Sequence, residues 1–393
     1  MAYALMNNLL LTTIPFFCYF IMSALLTPIG ILSPVMADHF ALPIVSITET
    51  FGWLTVGNFF GALAAILLLG RVNLRTLFIS VYGMMGAALL AISTSDSLAV
   101  LSVVLLTVGF GSGIGLAAAA LLISFRFSAA KKTSVLILTD GCFSIAGFVM
   151  SWLTAYVLHL EFGWQIPLQF VGLVAIFNAI LALFSSIESI EFPATNAKWT
   201  LRGSYSPPAI LFGAALFFYT LGQHSVLLWL PTYASDTLGM TNLDAGGLVG
   251  HFWAGMFLSQ IFSSWWVLRI GTERLIGIAI YTALLGSMTL WLTPRADYLG
   301  LVAGAWGFLN FSLLKAVLSR ATEIYPQLSH KLIPALLLSA TLGTSLSPFV
   351  TSMIVESFDV KASLMAGSIF HALLLACVAS ANSLGKRHLP LAN

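Results

Sequence analysis

Charge is what this sequence has least of. Only 8% of its 393 residues are Asp, Glu, Lys or Arg, against roughly a quarter in an ordinary soluble domain, while 59% are apolar. A chain of that composition cannot cover a water-soluble core. The formal net charge of +2 is spread over many short segments, with no basic tract to hold nucleic acid and no acidic tail. Cysteine is scarce too. Cys18, Cys142 and Cys377 fall inside apolar runs, without the CxxC or His-rich spacing of a metal site or disulfide framework, and read as small buried hydrophobes. No metal and no cofactor is expected. The first Lys or Arg is Arg71, so the opening run lacks the positive flank of a secretory signal and is too long for one; it reads as a retained helix. HExxH, GxSxG and paired intramembrane aspartates are missing as well, which argues against an enzyme.

Long apolar runs are what the sequence has in abundance. A helix that crosses a bilayer needs about 20 predominantly apolar residues. Such runs follow one another at 9–36, 45–69, 76–94, 98–124, 133–158 and 166–187. A polar stretch with Glu191, Pro193, Asn196, Lys198 and Arg202 interrupts them, and they resume at 207–235, 243–268, 274–293, 298–320, 332–356 and 361–384. The reading is an all-α membrane protein of twelve transmembrane helices. It comprises an N-terminal six-helix bundle (1–187), a cytoplasmic linker (188–206) and a C-terminal six-helix bundle (207–393).

Lys and Arg are retained on the cytoplasmic side of a membrane. With the N-terminus inside, thirteen of the sixteen cations are cytoplasmic, only Arg295 and Lys361 lie outside, and Lys315 falls within the tenth run. Both termini are therefore predicted to be cytoplasmic, in a multi-pass membrane protein. The two halves also repeat: a shift of about 198 positions carries Arg71 onto Arg269 and Trp53 close to Trp253. Parallel repeats of this kind place a substrate site between the bundles, near the bilayer midplane.

The fifth run opens with Thr139-Asp140-Gly141-Cys142-Phe143-Ser144-Ile145-Ala146-Gly147, and the seventh carries Leu221-Gly222-Gln223 with Trp229, Pro231 and Tyr233. Gly239-Met240, Asp244-Ala245-Gly246 and Phe252-Trp253 follow. In these segments, and over nearly its whole length, the chain resembles the major facilitator superfamily, and within it the fucose-permease-like group with its TsgA-type bacterial permeases. The resemblance implies the major facilitator fold and secondary transport of a small-molecule substrate, with or without protons, by a monomer in the lipid bilayer. The superfamily's loop motif survives as Gly70-Arg71 with Arg75, and in the second half as Arg269-Ile270-Gly271-Thr272-Glu273-Arg274; the acidic member expected in the first copy is missing. The resemblance implies that these charges brace neighbouring helix ends, more weakly in the first half.

Several polar residues interrupt the apolar runs. Lys315 stands out, because an ionisable group inside a spanning helix costs roughly 2.5 to 3.5 kcal/mol on insertion scales and marks function by default. It stands where relatives usually carry proline. It can hold a substrate carboxylate, pair with an acid in a gate, or snorkel past Ser319 toward the cytoplasm. Asp140 lies at similar depth on the fifth run, so the two can meet across the bundle interface and close a cytoplasmic gate in one state. The alternative for Asp140 is a hydrogen bond to Thr139, Ser144 or backbone that fixes a helix contact.

Gln223 and His224 sit midway along the seventh run, in a segment that the family often unwinds around substrate. They can bind a sugar or a carboxylate, and His224 can take a coupling proton or simply pack. His251 and Trp253 near the outer third of the eighth run, with Glu49 and Trp53 near the outer end of the second, are expected along an outer vestibule, Trp253 also reaching the substrate. Interfacial preference is the other account of the tryptophans. Asn58 and Asn310 can reach a ligand hydroxyl or join helices to one another. Gly109, Gly111, Gly113 and Gly115 permit close helix packing; no lysine follows them to make a phosphate loop.

The fucose permeases use carboxylates in their first and fourth helices for proton coupling. The runs 9–36 and 98–124 contain none, so coupling falls to Asp140 or His224. The leading reading is proton-coupled uptake of a small polar solute, with Lys315 favouring an anionic cargo such as a carboxylate or a carboxylate siderophore. A uniporter, a neutral sugar symporter, an exporter and a receptor-like protein without flux are the alternatives.

Overall fold

The computed structural model describes residues 2–94, 96–127, 129–187, 206–292, 295–310, 313–324 and 329–386. Of the stretch read as a linker, only Ser206 falls among them; Glu191, Pro193, Asn196, Lys198 and Arg202 lie outside the described residues. The elements of the first half are α1 (Ala2–Leu26), α2 (Ile29–Phe40), α3 (Ile44–Leu68), α4 (Leu74–Leu90), α5 (Leu98–Arg126), α6 (Ala129–His159) and α7 (Gln165–Phe184). Those of the second half are α8 (Pro207–Leu238), α9 (Asn242–Ile270), α10 (Thr272–Leu292), α11 (Ala296–Leu309), α12 (Leu313–Ile324), α13 (Ser329–Ser357) and α14 (Val360–Lys386). Among the described residues, eleven helical stretches are long and apolar enough to cross a membrane. The expected eighth span is the 29-residue α9, which falls outside that count.

One of the expected spans is divided, and another is described as two helices. The first breaks at Thr27-Pro28 between α1 and α2, because a proline has no N–H to continue the ladder and its ring collides with the carbonyl four residues back. In the tenth, α11 ends at Leu309, where the Asn310 N–H donates to the Gly307 carbonyl three residues back (3.3 Å), the tighter bond that ends many helices, and α12 begins beyond two residues that lie outside the described ones. The seventh span, in contrast, is not unwound. α8 runs unbroken through Gly222, Gln223 and His224, a correction to what the family resemblance implied. Side-chain bonds fasten it both to itself and to α13, Ser225 donating to the Leu221 carbonyl at 2.6 Å and Thr220 lying 2.6 Å from the Ala340 carbonyl, and the segment is packed between α13 and α14.

Polar ties join helix ends around the start of α1 and around the end of α14, and the contact of Asp140 in α6 with Lys315 in α12 sets the two groups on one face. Near the start, Asn7 accepts from the Ser186 N–H just past α7 (2.7 Å), Arg126 at the end of α5 donates to Asn8, and Arg75 at the start of α4 donates to the Leu183 carbonyl. In the second half Arg320 of α12 pairs with Glu273 of α10 at 2.8 Å and donates to Asn382 near the end of α14 at 3.4 Å. The opposite face carries its own ties, His39 to Asp96 at 3.5 Å and Gln169 to Ser93 at 3.1 Å.

The internal repeat appears in the packing. Where α3 crosses α5, a Cβ added to Gly57 would stand 2.2 Å from the Leu106 carbonyl oxygen, and one on Gly109 would stand 2.0 Å from that of Leu54. A shift of 198 positions leads to Gly255 and Gly307, where α9 crosses α11 and the same additions would come 2.0 Å from the Gly304 and Phe252 carbonyls. Small residues are what let helix backbones approach this closely in a membrane. The halves meet through α6 on α9, α3 on α13 and α2 on α8.

Candidate functional site

Polar groups are concentrated at two levels along the boundary between the halves. Nearer the face of the termini, the Lys315 Nζ of α12 lies 3.1 Å from the Asp140 Oδ2 of α6, so an ion pair joins the second half to the first. The side chains are 43% and 22% exposed, open enough for a solute or water to reach them. Lys315 is thus turned to Asp140 rather than snorkelling past Ser319. The Tyr19 hydroxyl of α1 lies beside Thr139 and Asp140. One turn further along α6, the Ser144 hydroxyl accepts from Gln260 of α9 at 3.0 Å, and the buried Gln260 Oε1 has no hydrogen-bond partner among the described residues.

The second level lies deeper. There Gly147 of α6 backs onto the Trp253 indole of α9, and a Cβ on that glycine would stand 2.5 Å from the ring. Across the boundary, Thr55 of α3 and Ser345 of α13 exchange bonds, hydroxyl to carbonyl, at 3.2 and 2.7 Å. These are two copies of one contact, since the 198-residue shift carries Thr55 onto Trp253 and Gly147 onto Ser345. Between them lies a cavity whose polar lining is Thr27, Thr55, His224, Trp253, Thr344 and Ser347, with no charged side chain. Its free space is of the size of a water molecule or two rather than of a whole organic solute. Trp253 is 6% exposed, and its indole N–H has no partner among the described residues. Such a group can only donate, and the great majority of buried donors are bonded.

From the cavity wall outward, toward the face opposite the termini, close helix contacts and apolar rings close the boundary. Gly30 of α2 abuts the Leu228 carbonyl of α8, where a Cβ would stand 2.2 Å away. The Phe349 ring sits on Gly52, and the Trp152 ring on Gly247 and Gly250. The boundary is therefore sealed by side chains seated on glycines at one end, and held by an accessible ion pair at the other.

The remaining residues singled out from sequence lie elsewhere. Gln223, Asn58 and Asn310 are buried outside the cavity lining: Asn58 at the α3–α5 crossing, where its backbone faces Gly109 and Gly113, and Asn310 just past the end of α11, donating to the Trp306 carbonyl at 3.4 Å. His251 packs at the edge of Trp152, 5.6 Å between ring centres, with its Nδ1 2.8 Å from the Gly247 carbonyl. Glu49 is half-buried one turn before Trp53, whose ring meets Phe349 edge-on. Of the loop motif, Arg75 and Glu273 tie helix ends as described, and Arg71, Arg269 and Arg274 are exposed. Sequence reasoning missed Tyr19, Gln260 and the hydroxyls of Thr27, Thr55, Thr344 and Ser347. Gln260 was open to discovery by the rule that singled out Asn58, an amide in an apolar run; threonine and serine are too common in membrane helices to carry a signal.

With this geometry in place, comparison with known proteins gives a consistent result. The family model of the Major Facilitator Superfamily matches residues 15–330. The Protein TsgA homolog of Serratia proteamaculans (strain 568) is 27% identical over 380 residues, 95% of each chain. That of Yersinia pestis (strain Pestoides F) is 25% identical over 375 residues, again 95% of each. Among solved structures, a point mutant of the nucleoside transporter NupG superposes with a TM-score of 0.75 at 15% identity, covering 95% of this chain and 99% of that one. A bacterial homolog of the human lysosomal transporter Spinster, in an inward-facing and occupied conformation, gives 0.73 at 14% identity, over 99% and 98% of the two chains.

Proposed function

The chain belongs to the Major Facilitator Superfamily and is a membrane transporter rather than an enzyme, and from that premise we propose that it takes up a small organic anion by alternating access, with the Asp140–Lys315 pair as its gate and anion site. In this reading twelve helices span the bacterial inner membrane as two six-helix bundles, 1–187 and 207–393, joined by the segment 188–206. The face of the termini is cytoplasmic, in keeping with the loop cations that cluster there. The closed, glycine-seated end then faces outward and the ion pair faces the cytoplasm. The protein works as a monomer.

The observation that carries the reading is the ion pair across the boundary, 3.1 Å long and partly exposed. A solute carboxylate has the same chemistry as Asp140 and competes with it for the Lys315 ammonium. Asp140, released from that partner, is the proton site, so anion and proton move together. When both have left, the pair re-forms, the two charges cancel, and the empty carrier can reset. Opposite charges held in one conformation and separated in the other bias the equilibrium between the two.

The test is uptake into proteoliposomes of labelled small carboxylates under an inward proton gradient. Gradient-driven accumulation should be lost in Asp140→Asn while anion exchange persists, and both should be lost in Lys315→Ala. Carboxylate accumulation of wild-type extent in either variant would rule the reading out. A neutral sugar as cargo has one observation in its favour, the uncharged hydroxyl-rich cavity lining. It requires sugar accumulation that survives Lys315→Ala.

A further inference from the structure

The two polar levels of the boundary ask for different chemistry. At Lys315 the group that seeks a ligand is an ammonium. At the cavity it is a neutral donor on a lining residue, the buried indole N–H of Trp253, which has no partner among the described residues. His224 lies opposite in the same lining, with its Nδ1 3.1 Å from the Thr220 carbonyl. A ring nitrogen that faces a carbonyl oxygen carries a proton, which in the neutral ring leaves Nε2 as an acceptor. Donor and acceptor together match a hydroxyl or a carboxamide, each of which accepts and donates. The free space admits one such terminal group. It does not admit a second charged group, for which the lining supplies no counter-charge.

The separation of the levels sets a length. Asp140 marks the ion pair on α6 and Gly147 marks Trp253, seven residues apart in one unbroken helix, about 10 Å at 1.5 Å per residue. We infer that the cavity at Trp253 and His224 is a subsite for the uncharged, hydrogen-bonding end of the solute, so that the cargo is a two-ended organic acid: carboxylate at Lys315, hydroxyl or carboxamide about 10 Å deeper. The assignment rests on the reading of Lys315 as the anion site, and the experiment separates the two.

The probes are unbranched ω-hydroxycarboxylates of increasing length, from glycolate upward, each paired with the plain carboxylate of the same length. The readout is thermal stabilisation of the purified full chain, since a ligand that binds only the folded state raises its melting temperature. In the wild type the hydroxylated acids should stabilise more than the plain ones, with the advantage greatest at the length that bridges the two levels. In Trp253→Phe, which keeps a ring on Gly147, and in His224→Leu, the paired series should coincide at every length while some stabilisation remains. In Lys315→Ala neither series should stabilise. Because each comparison is between matched ligands on one protein, a lower baseline stability in a variant does not blur it. A hydroxyl advantage that is absent in the wild type, or unchanged in both cavity variants, overturns the subsite while leaving the anion site standing. Wild-type stabilisation in Lys315→Ala, or none by any carboxylate in the wild type, overturns the anion site and the subsite with it.

Discussion

Gly30 and Leu228 stand 198 positions apart, the period of the internal repeat, and they touch: a Cβ on Gly30 would lie 2.2 Å from the Leu228 carbonyl oxygen. Residues related by a two-fold repeat can meet only at its axis, so this contact marks where the two halves turn about each other at the sealed end of the boundary. A methyl group cannot enter without parting α2 from α8. Gly30→Val should therefore destabilise the sealed conformation, by about 1 to 3 kcal/mol if the cost is that of an overpacked core. With a single cysteine placed at Thr344 in a background free of the native cysteines, labelling by a membrane-impermeant thiol reagent from outside should rise in the Gly30→Val variant. Unchanged labelling would mean that this contact does not hold the end shut.

Asp140 and Lys315 should behave as a unit. Removing either charge leaves the other beside buried groups without its partner, so each single substitution should cost more than the pair is worth. Both side chains are partly exposed, and solvent limits the effect. A double-mutant cycle of Asp140→Asn and Lys315→Met in chemical unfolding should show a coupling of about 0.5 to 2 kcal/mol. The charge-swapped protein, Asp140→Lys with Lys315→Asp, should regain stability relative to either reversal alone. A swapped protein as impaired as the single reversals would indicate that position, and not pairing, matters.

The repeated glycine crossings give a third expectation. Gly57 in α3 and Gly255 in α9 face carbonyl oxygens at 2.2 and 2.0 Å from an added Cβ, distances at which backbone must move. Gly57→Ala and Gly255→Ala should each lower the melting temperature, and by similar amounts because the two sites are copies of one crossing. A large drop in one and none in the other would show that the equivalence is geometric only.

How much of this was legible beforehand differs from residue to residue. Lys315 and Asp140 could be picked out singly, because a charge in an apolar run is rare and costly, and their similar depth followed from counting turns. Gln223 and Asn310 were picked out by the same rule, yet both lie outside the cavity, since a polar residue in a run carries no label for the helix face that will receive it. Thr27 and Thr55 gave no warning. The break at Thr27-Pro28 was not legible, since 9–36 reads as one run and Pro231 and Pro348 lie inside helices that continue; the expected unwinding at Gly222 did not occur because α13 and α14 hold that stretch of α8 on both sides.

By itself, then, the sequence determined the solvent and the number and order of apolar runs, because a bilayer sets the length of a spanning helix and leaves no other way to satisfy the backbone. The period of the repeat was also present in it, as the offset between Arg71 and Arg269. Tertiary structure alone decided that Lys315 meets Asp140, that His224 and Trp253 share a cavity while Gln223 does not, and that the Trp253 N–H has no partner among the described residues. Helix formation is settled by bonds four residues apart. Which side chains face one another across two halves depends on how every helix between them is packed and rotated, and no local pattern records that.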